Sequence, residues 1–345
     1  MNPKVSIVIL NWNGEKLLQQ FLPSVISNSR QDNVSIIIAD NSSDDNSLEI
    51  IQQKFPEVLA IPLNKNYGFA NGYNIALQQI KSDYYILLNS DVEVTPGWIN
   101  PLISIMERDS SVAAVQPKIK SWHKKDEFEY GGAAGGFIDM FGYPFCRGRI
   151  LNVLEKDHGQ YDGETVVFWV SGACMAIRTS AFYEAGGFDS SFWAHMEEID
   201  LCWRLNNKGL KVMCTSQSVV YHLGGGTLSY EDPRKLFLNF RNSLFMLYKN
   251  LYPGKFYFTM FCRTFLDGVA ALKLLSEDNY GAFKSVLRAH IDFYRSLRTL
   301  RKKRRALKHT RIRLPKDIFP TRSIAWQFYI KKKRAYSELL KKSSL

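Results

Sequence analysis

Short apolar runs alternate with amphipathic segments over the first 115 residues. The runs at 5–10, 35–39, 58–62, 84–88 and 112–115 are rich in β-branched residues and end in polar or turn-forming positions. Between them, residues near 15–28, 45–54, 69–80 and 97–107 repeat their apolar positions at helical spacing. This alternation predicts an α/β fold with a parallel sheet and crossover helices. Strands that are apolar almost throughout suit a sheet covered on both faces. From about 117 to 165 the pattern dissolves into a Gly-rich, mixed-charge stretch containing GGAAGG at 131–136. A connection of that length predicts a functional loop or a lid. Strand-like runs return at 166–170 and 174–177, and a helix is expected over 198–208 with Gly209 as its C-cap. After Pro233 the chain turns helical and aromatic, with breaks at Pro253, Pro315 and Pro320. The expected organisation is an α/β domain over 1–232 and a helical, basic region over 233–345.

Composition sharpens the picture in two ways. The 345 residues are 46% hydrophobic and 13% aromatic, enough for a large core and incompatible with disorder throughout. The net charge of +12 is concentrated: residues 301–345 carry 16 Lys and Arg against Asp317 and Glu338, a net of +14, which leaves about −2 on the first 300. A cationic tail on a nearly neutral body points to an anionic surface as one partner. Five scattered cysteines without a C-x-x-C pair fit a reducing compartment rather than a disulfide framework or a zinc site. The first apolar run breaks at Asn11-Trp12-Asn13 with no cleavage site. No apolar run reaches spanning length, and 256–275, the nearest to it, is interrupted by Arg263 and Asp267. A cytoplasmic chain that does not span a membrane is expected. The absence of G-x-G-x-x-G after the first strand and of a Walker A sequence excludes the usual dinucleotide and P-loop readings.

Five segments carry candidate chemistry. LLNSDVEV (87–94) places Asn89 and Asp91 at a strand end, where α/β sheets bind ligands. Asp91 there either serves a divalent ion that also holds a diphosphate, or closes an Asx turn. ADNSSDD (39–45) sets Asp40 at the next strand end, where a carboxylate can accept from a nucleobase or ribose, while Asp44 or Asp45 serves equally well as a helix cap. NYGFANGYN (66–74) precedes a helix, with Gly68 and Gly72 for close backbone approach and Asn66 and Asn74 as amides, and resembles a helix-N-terminus site for an anion or sugar. FWAHMEEIDLCWR (192–204) puts Glu197, Glu198 and Asp200 after an aromatic loop. These acids either compensate the helix dipole or include a carboxylate whose pKa is raised for base work; Asp200 and Arg204 are spaced to pair structurally. YHLGGGTL (221–228) offers His222 at a strand end before three glycines, as a core residue or a ligand.

The order of these motifs, from VSIVILNWNG (5–14) through YHLGGGTL, resembles family 2 glycosyltransferases of the GT-A fold, with bacterial rhamnosyltransferase-like members most similar. The resemblance spans roughly the first 230 residues. It implies an inverting enzyme that takes a nucleoside-diphosphate sugar and glycosylates a hydroxyl of a glycan or lipid-linked glycan in cell-surface polysaccharide synthesis, with rhamnose a candidate sugar. By the same resemblance Asp40 contacts the base, and Asn11, Asn13, Asn41, Asn66, Gly68, Phe69, Asn74, Asn89 and Ser90 complete the donor site. Trp169, Ser171 and Gly172 of WVSGACMAIR (169–178), with Trp193, line the sugar and acceptor site. Asn89-Ser90-Asp91 is the DxD-type motif, and Asp91 and His222 would hold Mg²⁺ or Mn²⁺. Glu197-Glu198 stands at the Glu-Asp pair whose second member is the catalytic base, so Glu198 is favoured and Glu197 is the alternative. Two departures matter: Asn89 replaces an acid of DxD, and Glu198 is one methylene longer than Asp.

Rival classes fit less well. A sugar nucleotidyltransferase would carry a basic Gly-rich loop where Asn11-Trp12-Asn13-Gly14 stands. A nucleic-acid-binding protein would use the tail, but the near-neutral body shows no such module, so no nucleic-acid partner is expected. The tail is instead expected to dock on the inner face of an anionic membrane. Leu287, Ile291, Tyr294 and Leu297 share a helical face that leaves Arg288, Arg295 and Arg298 aside, and Trp326, Phe328 and Tyr329 precede KKKR (331–334).

Overall fold

The computed structural model describes residues 2–224, 232–310 and 323–340. Strands β1 (Val5–Asn11), β2 (Val34–Asp40), β3 (Leu59–Pro62) and β4 (Tyr84–Leu88) are linked by helices α1 (Glu15–Asn28), α2 (Ser47–Lys54) and α3 (Gly68–Leu77). They lie parallel in the order β4-β1-β2-β3, with Asn11 of β1 opposite Asp40 of β2. The apolar periodicity is realised directly. On β1, Val5, Ile7 and Ile9 pack on one buried layer with Leu18, Leu22 and Leu102, while Val8 points into the other.

Beyond β4 the sheet becomes mixed. Strand β5 (Val92–Val94), helix α4 (Ile99–Arg108) and strand β6 (Val112–Ser121) follow. The stretch expected to be a loop or lid holds four short strands, β7 (Gly136–Ile138), β8 (Pro144–Cys146), β9 (Arg149–Ile150) and β10 (Val153–Leu154), which form a second, antiparallel sheet. Next come β11 (Glu164–Val167), β12 (Cys174–Arg178), α5 (Thr179–Glu184), α6 (Glu197–Asn207) and β13 (Lys211–His222). Strand β12 inserts antiparallel between β4 and β6, and β13 runs parallel to β6. The register of β5 against β13 sets His222 opposite Val92, next to the Asn89-Ser90-Asp91 turn.

Helices α7 (Pro233–Asn250), α8 (Phe256–Ser276), α9 (Tyr280–Arg295), α10 (Leu297–Ala306), α11 (Ile324–Tyr329) and α12 (Tyr336–Leu340) follow. Asp232 caps α7 by accepting from the Arg234 N–H at 2.7 Å, with Pro233 at the first helical position. The hydrophobic core is continuous across residue 232: Leu244, Phe245, Met246, Phe293, Leu300, Ile324 and Tyr336 belong to the same buried cluster as Val8 and Leu87. Leu297 and Phe328, expected on a membrane-facing surface, pack against or within this core, whereas Leu287, Ile291, Tyr294, Trp326 and Tyr329 stay exposed. No described helix is long and apolar enough to cross a membrane. All five cysteines are free thiols.

Candidate active site

The carboxyl ends of β1, β2, β4 and β13 gather most of the residues singled out in the sequence. Asp40 is fully buried and accepts from Asn11 Nδ2 at 3.0 Å, from the Ser43 N–H at 2.9 Å and from Ser43 Oγ at 2.7 Å. Asn11 Oδ1 has no hydrogen-bond partner among the described residues. It crowds Gly14, where a Cβ would stand 2.2 Å away, so a larger residue there would displace the Asn11 side chain. Asn13, at φ 52°, accepts the Asp44 N–H at 2.8 Å. Asn41 ties the β2 end to the 66–68 loop. Its Nδ2 donates to Asn66 Oδ1 and to the Gly68 carbonyl, each at 3.1 Å, and its Oδ1 accepts the Tyr67 N–H at 2.9 Å.

The N-terminus of α3 differs from the sequence expectation of an open anion site. The N–H groups of Phe69 and Ala70 donate to the carbonyl of Trp193, at 2.8 and 3.1 Å, and the Gly68 N–H goes to Asn66 Oδ1 at 2.8 Å. The Phe69 and Ala70 amides are therefore spent on a protein carbonyl more than 120 residues away in sequence, which no local pattern announces, and the Gly68 amide on a side chain two residues before it. Gly68 has φ +73°, and a Cβ on it would meet the Trp193 ring at 2.7 Å. Asn74, expected in the donor site, exchanges two bonds with the backbone of Phe188, donating at 2.8 Å and accepting at 3.0 Å.

At the other strand end, His222 Nε2 lies 3.1 Å from Asp91 Oδ1 and 3.5 Å from Asn89 Nδ2. His222 Nδ1 faces Glu129 Oε2 at 3.4 Å. Glu129, from the Gly-rich stretch, was not singled out in the sequence; it is buried and also accepts the Gly131 N–H. Burial disfavours a charged imidazole, but the carboxylates of Glu129 and Asp91 outweigh it and raise His222 to about 10. Burial likewise opposes ionisation of Asp91, and the His222 charge overrides it to lower its pKa. Asp91 and His222 converge at a strand end with a carboxylate behind the imidazole, and they fit a divalent ion that displaces the imidazole proton and takes its remaining ligands from water and phosphate. Among the described residues no cluster of three or more His, Cys, Asp or Glu could hold a metal by itself. Residues 225–228 of the YHLGGGTL segment lie outside the described residues.

Helix α6 carries the acidic pair. Glu197 is buried, Glu198 is partly accessible, and each has an Oε2 without a hydrogen-bond partner among the described residues. Burial, then the neighbouring Glu198 charge, pushes Glu197 well above the usual carboxylate range, and burial raises Glu198 to about 7. Trp193, His195 and Met196, just before this helix, all have left-handed φ, at 63°, 68° and 71°. Such backbone is costly outside glycine and persists only where its surroundings hold it. Here α7 does so: Asn242 Nδ2 lies 2.7–2.9 Å from the carbonyls of Phe192, Ala194 and His195, and Arg241 donates to those of Ser191 and Phe192 at 3.1 Å. Asp200 pairs with Arg204 at 3.0 Å, as their spacing predicts, and binds Lys249 and Asn250 of α7 as well.

The WVSG segment divides. Trp169 is buried, donates its indole N–H to the Phe137 carbonyl at 2.9 Å and packs on Gly136, where a Cβ would overlap its ring. It anchors the small sheet. Ser171 hydrogen-bonds Gln116 through its N–H and the Gly131 carbonyl through its hydroxyl. Gly172 faces the Phe69 ring, with which a Cβ would be in ordinary contact at 3.4 Å, so the WVSG and NYGF segments meet there.

This mixed sheet, with polar and acidic groups gathered at its strand ends, has the GT-A architecture, and residues 6–185 match the Glycosyl transferase family 2 model, which makes the protein a glycosyltransferase. The chain belongs to that family, and its class of activity is glycosyl transfer. Among curated relatives, it is 28% identical over 246 residues to the N-acetylglucosaminyl-diphospho-decaprenol L-rhamnosyltransferase of Mycobacterium tuberculosis (strain CDC 1551 / Oshkosh), covering 66% of this chain and 78% of that one. It is 27% identical over 219 residues to the rhamnosyltransferase WbbL of Escherichia coli (strain K12), covering 60% and 79%. The fold is shared with GalNAc-T7, solved with UDP, GalNAc and Mn²⁺, at TM-score 0.57 and 19% identity over 74% of this chain and 50% of that chain. It is shared too with the mannosyltransferase PcManGT of Pyrobaculum calidifontis, solved with GDP-Man and Mn²⁺, at TM-score 0.53 and 12% identity over 90% and 86%.

Proposed function

We propose that the protein is a divalent-metal-dependent, inverting hexosyltransferase. It moves a sugar, with rhamnose as the first candidate, from a nucleoside diphosphate to a hydroxyl of a glycan or lipid-linked glycan acceptor, working from the cytoplasmic side of an anionic membrane. The carrying observation is the Glu197-Glu198 pair, the first buried and the second partly accessible, held on α6 by the same 192–195 loop that seats the donor-side helix α3. The names of the rhamnosyltransferase relatives support the choice of sugar and acceptor class.

In this reading burial and the neighbouring charge make Glu197 the harder of the two to ionise, and Glu198, near neutrality and partly accessible, takes the proton from the acceptor hydroxyl. That oxygen bonds to the anomeric carbon on the face opposite the leaving group as the bond from carbon to the β-phosphate oxygen breaks, which inverts the centre. Asp91 and His222 would hold Mg²⁺ or Mn²⁺, with Asn89 beside them and Glu129 orienting the imidazole. When bound, the ion supplies positive charge against the diphosphate. The β1–β2 ends and the 66–69 loop position the nucleoside.

The test is a thermal-shift panel of nucleotide sugars with Mg²⁺ or Mn²⁺, followed by product analysis with the best donor. A donor at 100 times its Kd should add about 2.7 kcal/mol of stability. Inverted glycoside together with free nucleoside diphosphate is the expected product. Release of a nucleoside-triphosphate product, or retention of configuration, would overturn the reading.

A further inference from the structure

Helix α8 is built inside out. Its charges face inward: Arg263 and Asp267, both buried, pair at 2.8 Å. Arg263 also donates to Ser243 Oγ at 2.7 Å, and Asp267 accepts from Tyr143 at 2.9 Å and sits 3.2 Å from His290. Thr259 and Ala271 share that inward face. Its outward face carries Tyr257, Phe258, Phe261, Phe265, Val269 and Leu272, spaced so that they form one strip along the helix. Tyr257 is 83% exposed and Phe261 73%, values opposite to those of ordinary aromatic side chains. The interruption of the apolar run by Arg263 and Asp267 thus leaves the strip from Tyr257 to Leu272 uncharged, with exposed Lys273 flanking its end.

Cations frame this strip. Near the first turn of α8, Arg304 lies over the ring of Phe256, which packs on the core rather than in the strip, at 4.0 Å, donates to the Tyr248 and Leu251 carbonyls, and joins Arg301, Arg305 and Lys308 in an open groove. At its end, Lys273 pairs with Glu277 at 3.7 Å and sits 5.4 Å from the ring of Tyr329 on α11, where exposed Trp326 and Ile330 extend the apolar surface and the cations left without that acid are Lys331, Lys332 and Lys333. We infer that α8 lies in the interfacial layer of an anionic lipid bilayer, with its aromatic strip at the boundary between headgroups and acyl chains and the framing cations on lipid phosphates. Aromatic rings favour that boundary, and basic residues nearby add attraction to anionic lipid. A second copy of the chain would bring cation against cation around the strip, whereas anionic headgroups complement it. This goes beyond the basic tail as anchor and rests on the membrane-surface reading above only for its purpose, the supply of a lipid-linked acceptor.

The experiment uses the full chain and vesicles of phosphatidylcholine with or without phosphatidylglycerol. Wild-type protein should float with the anionic vesicles at least 10-fold more strongly than with phosphatidylcholine alone. The double variant Phe261→Glu/Phe265→Glu should lose that binding by at least 10-fold, with an unchanged unfolding temperature and unchanged turnover of a water-soluble acceptor. Arg301→Glu/Arg305→Glu should remove the preference for anionic lipid. Phe261→Trp should add indole emission that lipids brominated along the acyl chain quench. Flotation of the double Phe variant at wild-type strength, or added emission from Phe261→Trp that the brominated lipids leave unquenched, overturns the inference. A wild-type dimer in lipid-free buffer that the double Phe variant splits assigns the strip to self-association and also overturns it. Absence of glycosyl transfer to any acceptor counts against the proposed function alone, since flotation and quenching do not depend on it.

Discussion

Asn242 of α7 donates its side-chain amide to the His195 carbonyl at 2.7 Å, and so fastens the left-handed turn that precedes Glu197 and Glu198. The same amide lies 2.9 and 2.8 Å from the carbonyls of Phe192 and Ala194. Between them, the Trp193 carbonyl caps α3. A residue beyond position 232 thereby sets both the approach to the acidic pair and the start of α3.

Asn242→Ala should therefore cost on the order of 2 kcal/mol of stability, because buried carbonyls lose their donor, and should lower kcat by more than tenfold while nucleotide affinity changes less. Steady-state kinetics beside calorimetric UDP or TDP binding separate these effects. Wild-type kcat with a lowered unfolding temperature would confine Asn242 to a purely structural role.

Removing the ligand groups should be severe. Asp91→Asn and His222→Ala are each expected to reduce turnover by roughly 10²-fold or more, and EDTA should abolish it until Mg²⁺ or Mn²⁺ is restored. Glu129→Gln should weaken metal affinity about 10- to 100-fold through the imidazole it orients. Full activity in EDTA would remove Asp91 and His222 from the metal site.

The base assignment has a pH signature. Glu198 must be ionised to accept a proton, and burial places its pKa at about 7, so kcat/KM should rise with pH and level off above that value. Glu198→Gln should keep donor binding, lose roughly 10²-fold in kcat and flatten this acid limb. If Glu197→Gln alone produces that pattern, the base is Glu197 and not Glu198.

Asp189 joins the acidic loop to the C-terminal helices through Lys249 and Lys303. Burial opposes its ionisation, but those two ammonium groups, Lys249 first, drive its pKa far below the ordinary 3.8. A depressed carboxylate contributes stability that is complete above the unfolded value and fades as pH falls through the folded one. Asp189→Asn should thus destabilise by about 3 kcal/mol at pH 7, and the gap to wild type should narrow below pH 4 in denaturant titrations.

Periodicity exposed β1 to β4, α1 to α4 and the strand-end positions of Asp40, Asp91 and His222, because each depends on a local run and the residue that ends it. The Asp200–Arg204 pair was legible for the same reason. Glu129 was not: it reaches His222 through tertiary folding of a Gly-rich segment that has neither a period of two nor one of 3.6. The capping of α3 by Trp193 and the turn of Trp169 into the core are likewise contacts between distant segments. On α8 the apolar pattern was visible, yet only the packed structure shows which face of the helix is inside.

The unbroken core across residue 232 bears on how such a chain can be inherited. The matched family region ends at residue 185, but the turn before the acidic pair is pinned from α7, and Phe293 of α9 and Ile324 of α11 belong to the same buried cluster as Val8 and Leu87 of the sheet. A recombination event that moved the first 232 residues into another gene would carry the nucleotide-side chemistry without the parts that shape it. The two halves are therefore expected to descend as one unit, with change in Asn242, Asp189 or Lys249 tolerated only alongside change in the loop they hold.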